Sequence, residues 1–256
     1  MKRRYQAGII MMLISAMIAS NLPMTTVFAA AKKQQVKQET KKLEEQSRKM
    51  QQEFPSTYRV KWDIVGDPKV SILIPNKDHI DDLEKCLHSL WAKTSWDNFE
   101  VIVIENNSTD PETFAYYQKA QQCYDGLQVV TYPKKGFNFS GINNFGRKYA
   151  TGDYLLLLNN DVEVRNADWL PELLRQCAHP GGAAICGAEL FYPDETLQHA
   201  GVITGLGGYA GHSHKYKKAG GSGYMFRAAT VQDLSAVTGA CLLVKTSANA
   251  GLEPAF

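Results

Sequence analysis

The chain of 256 residues lacks the features that mark several common functional classes. Its five cysteines are odd in number, widely spaced and without a CxxC pair, so we expect neither a zinc site of the usual spacing nor a disulfide framework. We interpret most of them as small buried hydrophobic residues, which suits a reducing compartment. The net charge of +2 gives no reason to expect binding to nucleic acid.

The apolar run near the N-terminus is too short for a typical transmembrane helix. Residues 7–19 (AGIIMMLISAMIA) fall below the about 20 residues that a stable span needs. Basic residues precede this run, and a small-residue cleavage site, Val27-Phe28-Ala29, follows it. We therefore predict that residues 1–30 are an export signal or, alternatively, an uncleaved anchor.

The next segment differs in composition from the remainder. Residues 31–56 are rich in Lys, Gln and Glu, with Val36, Leu43 and Met50 at heptad spacing. This thin apolar seam predicts a helix, which we interpret as a charged spacer. A short coiled coil is the alternative, although the seam spans only three heptads and part of it is polar.

From residue 57 onwards, short apolar runs alternate with amphipathic segments. The predicted strands cover residues 70–75, 99–104, 127–131, 154–158, 183–191 and 236–245, and the predicted helices cover 80–91, 111–121, 140–150 and 169–177. Ser140 is the expected cap of the third helix, and residues 201–224 are expected to form a long glycine-rich loop. The alternation predicts an α/β fold with a right-handed, mostly parallel sheet flanked by helices.

The most informative segment is the run YLLLL at 154–158, which indicates a strand buried on both faces. It ends in Asn159, Asn160 and Asp161. Ligands of open α/β sheets bind just beyond the carboxyl ends of strands. A carboxylate flanked by amide oxygens suits Mg²⁺ or Mn²⁺ together with a diphosphate. The alternative is an ordinary Asn-Asp turn.

Several segments, taken in order, resemble family 2 glycosyltransferases. They are SILIP (71–75), VIVIENNSTD (101–110), FNFSGINNFG (137–146) and GDYLLLLNNDVEV (152–164). Two more, LQHAGVITGLGGYAGH (197–212) and AVTGACLLV (236–244), are similar to the rhamnosyltransferase-like and O-antigen branch that assembles cell-surface polysaccharides.

The resemblance covers residues 57–256 and implies the GT-A fold. It also implies a metal-dependent, inverting transfer of a sugar to a hydroxyl group. The donor would be a UDP- or dTDP-linked sugar, the acceptor a glycan or lipid-linked glycan, and the metal Mn²⁺ or Mg²⁺. Such a transfer needs a base for the acceptor proton but no covalent nucleophile.

The resemblance carries site roles over to particular positions. The implied nucleotide-binding residues are Pro75, Asn76, Asp78, Glu105, Asn107, Ser108, Asn143 and Asn160. The implied metal ligands are Asp161 and Asn159, and the implied donor-sugar or acceptor residues are Gly239, Ala240 and His199. Glu105 replaces a common Asp, and Asn143 stands where many members have Arg. Ordinary turn, cap or packing roles are the alternatives, including a helix cap for Asp78 and a structural role for His199.

The glycine-rich segment holds a second, weaker candidate. His212 and His214 form an HxH pair that would place two imidazoles together if the segment were a strand. A solvated loop is the alternative interpretation. Three nearby lysines could attract a phosphate or could simply be solvated charges; they are Lys215, Lys217 and Lys218.

The ends of the chain conflict with this function. The resemblance places the general base beyond Phe256, so we expect nucleotide and metal binding with little or no turnover. The enzyme domain is expected in the cytoplasm, or peripherally attached to the cytoplasmic side of the inner membrane, whereas the signal-like segment would predict export. Two alternatives stay open: an inactive nucleotide-sugar-binding fragment of a chimeric or truncated reading frame, and an exported helical interaction protein. No glycine- and basic-rich loop follows the first strand, which disfavours a nucleotidyltransferase.

Overall fold

The computed structural model describes residue 41, residues 60–249 and residues 251–252. The predicted signal segment, 1–30, lies outside the described residues, as does the predicted spacer, 31–56, apart from Lys41. Among the described residues, no helix combines the length and hydropathy needed to cross a membrane.

Strands and helices alternate along the first half of the described chain. The strands are β1 (Val70–Asn76), β2 (Phe99–Glu105), β3 (Leu127–Thr131), β4 (Tyr154–Leu158), β5 (Ile185–Gly187), β6 (Leu190–Phe191), β7 (Leu197–His199), β8 (Val202–Thr204), β9 (Ala210–His212) and β10 (Cys241–Lys245). The α-helices are α1 (Ile80–Lys93), α2 (Pro111–Cys123), α3 (Phe139–Gly146) and α4 (Trp169–Cys177). Short 3₁₀ helices lie at Arg147–Tyr149, Tyr224–Phe226 and Thr246–Ala248.

A six-stranded sheet with the order β3-β2-β1-β4-β10-β5 forms the centre of the fold. β1 to β4 pair in parallel, and β10 runs antiparallel to both β4 and β5. The mostly parallel sheet flanked by helices confirms the predicted fold class. Because β1, β2 and β4 are parallel neighbours, their carboxyl ends meet at one edge of the sheet, as the predicted site requires.

The two faces of the sheet are buried by different helices. Ile72 and Ile74 of β1 point into the larger core, where Leu83 and Leu87 of α1 lie. The intervening Leu73 points to the other face and joins the smaller core with Ile142 of α3. Burial of such a side chain contributes roughly 1.5–3 kcal/mol, so the strands that bear the site are held from both sides.

α3 approaches the sheet closely through a glycine. A Cβ atom at Gly146 would lie 2.2 Å from Cδ1 of Ile104, which is a distance no real contact allows. The glycine therefore lets the helix backbone pack directly against β2.

The structure corrects four details of the sequence prediction. The strand expected at 183–191 is divided, because β5 stays with β10 while β6 pairs with β7 in a separate ribbon. The strand expected at 236–245 begins only at Cys241, after a turn. The loop expected at 201–224 contains the β8–β9 hairpin. The third helix is capped by Asn138 and not by Ser140, because the Asn138 side chain accepts the N–H of Gly141 at 2.6 Å.

Candidate functional site

The strands β1 and β4 end in amides that face each other. Leu73 pairs with Leu157, so the parallel register continues to place Asn76 opposite Asn160. The Asn160 amide nitrogen donates to Oδ1 of Asn76 at 2.7 Å. This bond ties the residue that precedes Asp161 to the end of β1.

Asn76 is itself held by the protein on its other side. It is buried, and its amide nitrogen donates to the hydroxyl of Tyr117 and to the carbonyl oxygen of Asp78, both at 2.8 Å. Both of its amide N–H groups are therefore engaged within the protein. Asn76 therefore holds the Asn160 side chain in place. A contact between Asn76 and a nucleotide stays a prediction.

A second group of polar residues lies at the end of β2. Glu105 is buried, and its Oε1 accepts the N–H of Ser108 at 2.5 Å. The Ser108 hydroxyl accepts the N–H of Asp78 at 3.0 Å, which ties this loop to the end of β1. A buried carboxylate with one backbone donor at a strand end is suited to accept a hydroxyl or N–H of a ligand.

Asp78 organises the loop that follows β2. Its Oδ1 accepts the N–H of Asp110 at 3.0 Å and that of Thr109 at 2.9 Å, and these bonds lower the pKa of Asp78. The alternative role as a helix cap is wrong, because His79 occupies the N-cap position of α1.

Three residues around this loop adopt the left-handed backbone conformation, which non-glycine residues rarely do. The φ angles of Asp78, His79 and Asn107 are 52°, 48° and 59°. The Asn107 amide donates to the carbonyl oxygen of Lys134 at 2.8 Å, which anchors the loop. Such backbone conformations cluster at ligand sites, where the surrounding structure maintains them.

Asn143 offers a buried acceptor that is unpaired. Its amide nitrogen donates to the Phe139 carbonyl at 2.8 Å, while its buried Oδ1 has no hydrogen-bond partner within the described residues. An unpaired acceptor suits a hydroxyl of a ligand better than a phosphate. Gly239 lies close by, since a Cβ there would come within 2.9 Å of the Phe139 ring.

The candidate metal ligands follow β4 directly. The N–H of Asn159 donates to the Ala240 carbonyl at 3.0 Å, which joins the ends of β4 and β10. Asp161 is exposed. Within the described part of the chain, no group of three or more His, Cys, Asp or Glu side chains could hold a metal.

The residues present fit a divalent ion that is bound together with a diphosphate. Mg²⁺ typically uses one or two carboxylates, several waters and substrate phosphates. The exposed carboxylate of Asp161 meets that requirement, and Asn159, two residues earlier in the chain, could add an amide oxygen. The same residues do not suit a metal held by protein ligands alone.

His199 is buried and fully engaged. Its Nε2 accepts the N–H groups of Gly201 and Thr238, each at 3.3 Å, and its Nδ1 lies 2.9 Å from Nδ1 of His212. Burial, with a smaller effect of His212, lowers the pKa of His199 to about 4. His214 contacts the hydroxyl of Ser213, so the two histidines of the candidate HxH pair have different partners. The partnership of His199 with His212 was missed, because only the β8–β9 hairpin brings the two together.

The structure brings most of the predicted site residues to one edge of the sheet. That edge holds Pro75, Asn76, Asp78, Glu105, Asn107, Ser108, Asn159, Asn160 and Asp161 at the ends of β1, β2 and β4. Gly239 and Ala240 join it through the turn before β10, and His199 contacts that turn through the N–H of Thr238. A cavity of about 580 Å³ lies at the opposite edge, lined in part by Asp67 and Trp96, and contains none of these residues.

Comparison with known proteins identifies the family of the chain. The family model for glycosyl transferase family 2 matches residues 71–234. The chain is 45% identical over 158 residues to the O-antigen biosynthesis protein RfbC of Myxococcus xanthus, covering 62% of this chain and 12% of that protein. It is 39% identical over 192 residues to the uncharacterized protein y4gI of Sinorhizobium fredii, covering 75% of this chain and 21% of that protein.

Among solved structures, the mannosyltransferase PcManGT from Pyrobaculum calidifontis, in complex with GDP-Man and Mn²⁺, aligns with a TM-score of 0.46 and 16% identity. This alignment covers 66% of this chain and 48% of that one. The chain therefore spans about a fifth or less of the length of the two sequence relatives and about half of the structural one. The ordered motifs, the mostly parallel sheet and the family model agree: the chain belongs to glycosyl transferase family 2.

Proposed function

We propose that this domain binds a nucleoside diphosphate sugar with Mn²⁺ or Mg²⁺ and transfers the sugar, with inversion, to a hydroxyl group during cell-surface polysaccharide synthesis. One observation carries the proposal. The exposed carboxylate of Asp161 lies three residues beyond the end of the central strand β4, at the edge where β1 and β2 also end. The kinship with an O-antigen biosynthesis protein supports the polysaccharide acceptor.

The polar groups at this edge suit different parts of the donor. Glu105 presents a buried carboxylate that would accept hydrogen bonds from the base or ribose, and the unpaired Oδ1 of Asn143 would accept a hydroxyl. Asp161, with Asn159, would hold the divalent ion next to the diphosphate. When bound, that ion stabilises the negative charge that develops on the leaving diphosphate.

The chemistry assigned to the domain requires no covalent intermediate. The acceptor hydroxyl would attack the anomeric carbon from the face opposite the diphosphate, and this geometry inverts the anomeric configuration. We also propose that the domain works on the cytoplasmic side of the membrane, where its donor is made.

Calorimetric titration of UDP, dTDP and GDP into the protein tests the proposed site. We expect UDP or dTDP to bind at least about tenfold more tightly with Mn²⁺ than with EDTA, which corresponds to about 1.4 kcal/mol. Equal affinity under both conditions, or no binding of any nucleotide, would contradict the proposal.

A transfer assay separates the enzyme from the alternative, a nucleotide-sugar-binding protein without activity. The enzyme releases nucleoside diphosphate in the presence of a glycan acceptor, and NMR of the product gives the anomeric configuration. Metal-dependent binding without transfer would favour the alternative, and a retained configuration would refute the inverting mechanism.

A further inference from the structure

The segment that follows β7 is joined to the residues before β10 by one backbone hydrogen bond, and a second bond links the two ends of the segment itself. The N–H of Val202 donates to the Ala236 carbonyl at 2.9 Å, and the N–H of Ser213 donates to the Gly201 carbonyl at 2.8 Å. The β8–β9 hairpin, whose last residue is His212, is thereby held next to residues 236–240. His199 lies buried where these segments meet.

The contacts of His199 define its tautomer. Two backbone N–H groups, from Gly201 and Thr238, point at Nε2, so that nitrogen must be an unprotonated acceptor. The single ring proton of the neutral side chain is therefore on Nδ1, and it is donated to Nδ1 of His212 at 2.9 Å. His212, which accepts through Nδ1, carries its own proton on Nε2.

A short series of hydrogen bonds continues from His199 to the candidate metal site. Thr238 donates its N–H to His199, and its hydroxyl accepts the N–H of Ala240 at 3.3 Å. The Ala240 carbonyl then accepts the N–H of Asn159 at 3.0 Å. Asn159 is two residues from Asp161, so the 238–240 turn holds the backbone from which the metal ligand projects.

We propose that His199 is a positioning residue of the donor site, which as a neutral Nδ1–H tautomer fixes the 238–240 turn and thereby places Asn159 and Asp161 for the metal–diphosphate group. This role rests on the proposed function, since it concerns the binding of that group. His199 is 1% exposed and both of its ring nitrogens have hydrogen-bond partners, so it does not itself contact substrate.

Two conservative variants separate the contact of His199 with Thr238 from its contact with His212. In His199→Gln, the side-chain oxygen can replace Nε2 as the acceptor for Thr238. In His199→Asn, the shorter amide can replace the Nδ1 donor to His212 but does not reach Thr238. His179→Asn is the matched control, because His179 stacks on Trp62, with ring centroids 4.5 Å apart, and makes no contact with the turn.

The measurement is the affinity for UDP in the presence of Mn²⁺. We expect His199→Asn to lose at least about fivefold in affinity, while His199→Gln and the control stay within about twofold of the wild type. A purely structural role would lower the melting temperature of both His199 variants and leave the affinity unchanged. That result, or equal losses in the two variants, would overturn the proposal.

Backbone NMR provides a test that does not depend on substrate. We expect His199→Asn to shift the amide signals of both Thr238 and Asn159, and His199→Gln to shift them less. An unmoved Asn159 amide in His199→Asn would refute the link. If the variants do not fold, slow hydrogen exchange at Thr238 in the wild type supports the contact and rapid exchange refutes it. If Thr238 exchanges slowly in the wild type but the protein binds no nucleotide, the proposed function is contradicted. The hydrogen-bond series from His199 to Asn159 would still stand.

Discussion

Replacing Asn76 with alanine tests whether the ends of β1 and β4 are joined as the structure indicates. The wild-type side chain makes three hydrogen bonds, to Tyr117, to the Asp78 carbonyl and from Asn160, at 2.7–2.8 Å. Asn76 is 3% exposed and Tyr117 is 4% exposed, so water cannot readily replace the contact between them.

The expected cost follows from these contacts. Each intramolecular hydrogen bond contributes about 1 kcal/mol net, and a buried polar group left without a partner costs about 1–3 kcal/mol. We therefore expect Asn76→Ala to lower the free energy of unfolding by about 3 kcal/mol. Asn98→Ala is the control, because its amide also donates two bonds, at 2.7 and 3.2 Å, but to exposed oxygen atoms of Asp67. The control should lose less than about 1 kcal/mol.

Urea denaturation, followed by tryptophan fluorescence and circular dichroism, measures both changes. Superimposable transitions from the two probes would justify a two-state treatment. An unchanged slope would show that the shift in midpoint is a change in stability. If Asn76→Ala and Asn98→Ala differed by less than about 0.5 kcal/mol, the buried junction between the strand ends would be refuted.

Two further predictions concern pH and packing. The pKa of His199 is about 4 in the folded protein and about 6.5 in the unfolded chain. Protonation therefore favours the unfolded chain, and the free energy of unfolding should fall by roughly 2–3 kcal/mol as the pH falls from 7 to 4.5. His199→Gln should remove that part of the pH dependence. An equally steep pH dependence of the unfolding free energy in the variant would contradict this. Gly146→Ala should destabilise the protein by about 1–3 kcal/mol although alanine favours helices, since its Cβ would overlap Ile104. Denaturation of the double variant with Ile104→Val should show partial recovery, and a stabilised Gly146→Ala would refute the close packing.

The first half of the domain could be predicted from its sequence, because its elements are defined by local patterns. The apolar runs of β1, β2 and β4 are mostly buried, the edge strand β3 is partly buried, and the predicted bounds of all four agree with the structure to within a residue. Hydrophobic periodicity, which is also a local pattern, predicted the helices between them. The site at the strand ends followed, since parallel neighbours bring their carboxyl ends together.

The second half could not be predicted as well, because distant residues decide its local structure. The run at 236–245 is mostly apolar, yet only Cys241–Lys245 pairs with β4, and the preceding turn is held by His199. No local pattern connects His199 with His212, which are 13 residues apart. Likewise, sequence identified Asn76 as polar at a strand end but not that its amide hydrogens would be used within the protein.

The most direct test of the account is the metal dependence of nucleotide binding in Asp161→Asn, which removes the charge and keeps the shape of the side chain. Glu163→Gln is the control, because Glu163 is a nearby exposed carboxylate that pairs with Lys93 at 3.0 Å. We predict that Asp161→Asn binds UDP equally with Mn²⁺ and with EDTA, while the wild type and the control keep an enhancement of at least about tenfold. Full enhancement by Mn²⁺ in Asp161→Asn would contradict the assignment of this carboxylate as the metal ligand.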